Sequence, residues 1–116
     1  MQDWEYNELI EYVDEVFINS INDGLNALQA GGRCLYELAN VIEEGDTEKT
    51  IFYICLAHLQ IDKGVLSSRI YEVVDSIVQV YDIDRFGNEL GFDDAKDLSE
   101  RIESVKTKLQ TVAIIS

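Results

Sequence analysis

Proline is absent from all 116 positions of this chain, and apolar residues return at steps of three and four through almost every window. Proline is the residue that most often breaks a helix, and a three-four step lines one side of a 3.6-residue turn. The chain therefore reads as all-α, a compact antiparallel bundle of about five helices forming one domain over residues 1–116. A hydrophobic share of 47% supplies a core and excludes a disordered acidic tail. No uncharged apolar run is long enough to cross a membrane.

The first helix is expected from about Asp3, a candidate cap, to Asn22, with Tyr6, Leu9, Ile10, Val13, Val16 and Phe17 inward and the acids outward. Asn22-Asp23-Gly24 signals a turn, after which Leu25, Leu28, Gly32, Leu35, Ala39 and Ile42 step as a second helix. Gly31 and Gly32 interrupt it, each at a cost of up to about 1 kcal/mol against alanine, which calls for a close helix neighbour or a kink. Gly45 suits a left-handed helix end, with Asp46 or Thr47 capping the next helix.

Residues Ile51 to Ile61 are apolar around most of a helix and mark the central, most buried element. Gly64 ends it, and Ser67 or Ser68 opens a fourth helix carrying Ile70, Val73, Val74, Ile77, Val78 and Tyr81, for which a strand is the alternative. Asp93 or Asp94 caps the last helix, whose stripe Ala95, Leu98, Ile102, Val105, Leu109 and Val112 packs inside the domain or pairs with a second copy.

Little in the chain points to catalysis. The single histidine, His58, lies three residues after Cys55 and four before Asp62 on one helix face, but a mid-helix thiol has no free backbone N–H groups for an oxyanion. Cys34 and Cys55 fall within apolar patterns and read as reduced core residues; with His58 they lack paired metal-ligand spacing, so neither a metal nor a cofactor is expected. The stretch Asp82 to Asp93 follows the EF-hand pattern at Asp82, Asp84, Gly87 and Asp93, but Phe86 occupies a ligand position and the last ligand is not Glu; an acidic turn is preferred. Phosphate-cradling glycine motifs and clustered bases are both missing, so direct nucleotide or nucleic-acid binding is disfavoured.

The charge pattern remains. Asp and Glu number 23 against 9 Lys and Arg, a formal charge of −14, and seven of the acids precede the first base, Arg33. Glu8, Glu11, Asp14 and Glu15 form an acidic face on the first helix, and Glu43, Glu44 and Asp46 form a second patch. Unpaired like charges at helical spacing cost a few tenths of a kcal/mol per pair, so a face kept without lysines suggests a basic protein partner. Trp4, Tyr6, Tyr12 and Phe92 are candidate aromatic anchors.

In size, acidity, helical character and lack of catalytic residues the chain resembles bacterial toxin-immunity proteins. That resemblance implies an inhibitor, not an enzyme, which covers a basic nuclease-like toxin by charge-complementary binding. A DNA-mimicking inhibitor of a nucleic-acid enzyme and a helical adaptor or homodimer are the alternatives. The N-terminal stretch lacks the marks of a secretory leader, so a cytoplasmic location is expected.

Overall fold

An apolar run with no polar side has to go to the middle of a bundle. Ile51 to Ala57 do so: every one is buried, and each fully buried Leu, Ile or Phe contributes on the order of 1.5–3 kcal/mol relative to exposure. The computed structural model describes residues 6–80 and 92–115. Within them run α1 (Tyr6–Asn22), α2 (Ala27–Glu37), α3 (Ala39–Glu44), α4 (Asp46–Asp62), β1 (Val65–Ser67), α5 (Ser68–Val80), α6 (Phe92–Lys108) and β2 (Ala113–Ile115). The central run belongs to α4, against which α1, α2, α3, α5 and α6 all pack. The architecture is the expected helical bundle, with one small strand pair added.

α1 buries Leu9, Ile10, Val13, Val16 and Phe17, the side that its periodicity points inward. Ser20 is buried beside them, and its hydroxyl donates to the Val16 carbonyl at 2.8 Å, so the inward position leaves no donor unsatisfied. After Asn22 the chain turns through Gly24 at φ +98°, a left-handed conformation that costs glycine nothing. The expected Asp3 cap lies outside the described residues.

The second helix departs from expectation in two ways. Its buried side is Ala27, Ala30, Gly31, Cys34 and Leu38, one position round from the stripe of Leu25, Leu28, Gly32, Leu35 and Ala39; Gly32 and Ala39 are exposed. Small residues win the inward side because they let α2 approach α1 and α4 closely. Gly31 shows how closely: a Cβ there would collide with Nε2 of Gln60 on α4. The helix also breaks at Leu38, whose φ and ψ of −109° and 17° leave the helical range while its amide still donates to the Cys34 carbonyl at 2.9 Å. α3 therefore starts as a separate short segment, and the break does not fall at the glycines.

At the other end of α2, Asn26 and Gln29 form a reciprocal cap. The Gln29 amide donates to Asn26 Oδ1 at 2.9 Å, and the Asn26 amide donates to Gln29 Oε1 at 3.0 Å. Gly45 takes the cap position of α4 at φ 170°, which is extended and not left-handed, and no side chain caps that helix. Gly64 ends α4 as expected, at φ +86°.

β1 and β2 are joined in parallel, Val65 opposite Ala113, Leu66 opposite Ile114 and Ser67 opposite Ile115. β1 is held to α4 by Gln60, which is fully buried: its Nε2 donates to the Ala27 carbonyl at 3.0 Å, and its Oε1 accepts from the Ser67 amide at 3.0 Å. α5 begins at Ser68 and is a helix, so the strand alternative for Ile70 onward does not hold. α6 starts at Phe92, so Asp93 and Asp94 lie inside it, and it ends at Lys108, short of Val112. Its stripe of Leu98, Ile102, Val105 and Leu109 is buried, with α6 packed on α4 within the chain. Residues 82–91, the core of the EF-hand-like stretch, lie outside the described residues.

Candidate partner-binding face

Three of the four acids assigned to α1 stand together in solvent. Glu8, Glu11 and Glu15 are exposed at steps of three and four, and the next step along the same side reaches Ile18, 52% exposed. One helix side thus carries three carboxylates and ends on a bare aliphatic group.

Asp14 behaves differently. Its two oxygens accept from both terminal nitrogens of Arg101 on α6, Nη1 to Oδ1 at 2.9 Å and Nη2 to Oδ2 at 2.7 Å. Nε of the same arginine reaches Asp97 at 3.3 Å. The Arg101 side chain is only 12% exposed, and the hydrogen bonds it donates to Asp14 hold its guanidinium well above the ordinary arginine range against the opposing effect of burial. Of the second patch, Glu43 is exposed on α3, which packs on α4 and α2. The side chains of Glu44 and Asp46 lie outside the described residues, as do those of Tyr6 and Phe92 and all of Trp4.

Beside the α1 acids, a groove of about 450 Å³ runs between α1 and α2, lined by Tyr12, Glu15, Asn19, Asp23, Arg33 and Glu37 among others. Arg33 crosses it, Nη1 to Asp23 at 2.9 Å and Nε to Glu37 at 3.5 Å. These partners are all well exposed, so the bridges hold geometry more than they stabilise the fold. Tyr36, one residue before Glu37, is 85% exposed. Sequence reasoning missed Ile18 and Arg33 as parts of this face; the step from Glu15 to Ile18 was a usable signal, whereas the groove needs two helices to exist.

The Cys55–His58 face offers no open chemistry. Cys34 and Cys55 are buried and unpaired, and burial pushes both thiols up to about 12, so each stays protonated at neutral pH. His58 is held below its ordinary value by burial first and by Arg101 second. Its Nδ1 is buried with no hydrogen-bond partner. Asp62, the third member of that face, is exposed. Among the described residues no cluster of His, Cys, Asp and Glu is arranged to hold a metal ion. Among them also no helix is long and apolar enough to cross a membrane.

No curated protein and no solved structure matches the chain. The family model for Immunity protein Imm3 matches residues 2–116, all but the first. A match of that length decides the family: the chain belongs to the Immunity protein Imm3 family, and its binding partner is a toxin.

Proposed function

We propose that this immunity protein neutralises a basic, nuclease-like toxin in the cytoplasm by charge-complementary binding, covering the cleft that would hold nucleic acid. It acts by occupancy and breaks no bond in the toxin. Glu8, Glu11 and Glu15 make the principal contacts, with Glu43, Glu44 and Asp46 as a second patch. Asp14, its charge neutralised by Arg101, holds α1 in place behind that face.

The observation that carries this reading is the exposed α1 stripe, in a stretch of 32 residues with seven acids and no lysine or arginine. Solubility alone does not require such segregation, since mixed charges serve it as well and avoid like-charge repulsion along the helix. A surface of one sign raises the association rate with a basic partner and rejects acidic ones.

The test is the triple variant Glu8→Lys, Glu11→Lys, Glu15→Lys. Its helicity and melting temperature should stay close to wild type, because all three side chains are exposed. Toxin inhibition should be lost, and wild-type binding should weaken steeply as salt is raised. Full protection by the folded triple variant would sink this reading.

A further inference from the structure

The α1/α2 groove has an imbalance that the exposed stripe does not explain. Three carboxylates, Glu15, Asp23 and Glu37, line it against one cation. Arg33 is shared between Asp23 and Glu37, and Glu15 has no basic partner among the described residues. We propose that this groove receives one lysine or arginine side chain of the toxin, seated against Glu15, and that Arg33 is a built-in competitor that holds the affinity down. The proposal rests on the reading of a basic toxin and names where that toxin's central contact is made.

Three features favour a cationic side chain as occupant. A concave wall of one net sign focuses potential into the groove more strongly than the same charges on a convex helix. About 450 Å³ is ample for an extended ammonium or guanidinium side chain together with bridging water. Tyr12 stands in the wall, an aromatic ring beside the carboxylates. Rings next to a cation add attraction and shield the contact from solvent, as at the centres of tight interfaces.

Arg33 gives the proposal a signature of opposite sign to damage. Its bridges are exposed, so replacing it costs the fold little, yet it removes a like charge from where the incoming cation sits. The experiment is titration calorimetry of the full chain with an inactivated form of its cognate toxin, at two salt concentrations, with melting curves for every variant. Arg33→Gln should bind roughly three- to tenfold tighter with a steeper salt dependence, and Glu15→Gln roughly tenfold weaker.

Unchanged or weaker binding by Arg33→Gln overturns the groove. If Glu8→Gln with Glu11→Gln weakens binding while both groove variants match wild type, the acidic stripe stands and the groove falls. If wild-type binding is indifferent to salt and to all these changes, the charge-complementary reading itself fails and takes the groove with it. A concentration-dependent mass that Arg33→Gln and Glu15→Gln alter would place a second copy in the groove and also overturn the proposal.

Discussion

Arg101 on α6 grips Asp14 on α1 with both ends of its guanidinium, across 87 positions of sequence. Asp14 thereby does a different job from Glu11 and Glu15 on the same helix: it ties the first helix to the last, while they face solvent.

Removing one partner leaves the other charge largely out of water. Asp14→Ala should destabilise the chain by about 2 kcal/mol, whereas Glu11→Ala should stay within about 0.5 kcal/mol of wild type. Urea unfolding at neutral pH measures both. Replacing the pair together, Asp14→Leu with Arg101→Met, should recover part of the loss because no buried charge is left unpaired. Equal midpoints for Asp14→Ala and Glu11→Ala would show the latch to be energetically idle.

The neighbouring glycines of α2 should respond with opposite signs. At Gly31 a new methyl meets Gln60, which cannot retreat without giving up the Ala27 carbonyl and the Ser67 amide, so Gly31→Ala should cost about 2 kcal/mol. Around Gly32 nothing lies within 4 Å of the added atom, and Gly32→Ala should stabilise by up to about 1 kcal/mol through helix propensity. Thermal melts of the two variants, one up and one down, are the check.

Both thiols should be silent in the native protein. With Cys34 and Cys55 raised to about 12 by burial, a disulfide reagent at pH 8 should modify neither until denaturant is added, and then both. A thiol that ionises near 9 when unfolded and near 12 when folded contributes stability below about pH 9, and that stability is lost as pH climbs toward 12. Melting temperature should therefore fall over that window, and less steeply in Cys34→Ser with Cys55→Ala.

What the sequence discloses about this chain follows the range of the interaction. α1, α4 and the packed stripe of α6 are legible because one helix turn after another repeats the same local instruction. Asn26 with Gln29 is equally local, an Asn-x-x-Gln cap that marks the start of α2 and was there to be read. The rotated face of α2 was harder: Leu25, Leu28 and Leu35 are the more hydrophobic stripe, and only the nearness of Gln60 shows why Ala30 and Gly31 turn inward instead. β1 and β2 are three residues each and pair across 48 positions of chain, so neither carries a periodic signal of its own. The acids of the candidate face were visible as composition, but which of them stands free and which is committed depended on where Arg101 arrives.

Every residue of the α1/α2 groove comes from the first 37 positions, while the two ties that close the domain, Arg101 to Asp14 and β2 to β1, come from beyond position 100. Contacts so far apart in sequence are the slow ones to form, because a long loop must close before they return anything. The groove residues leave synthesis before either C-terminal tie exists, so those ties close the domain last. The order of synthesis thus places the residues of the proposed toxin-binding groove ahead of the contacts that fix them.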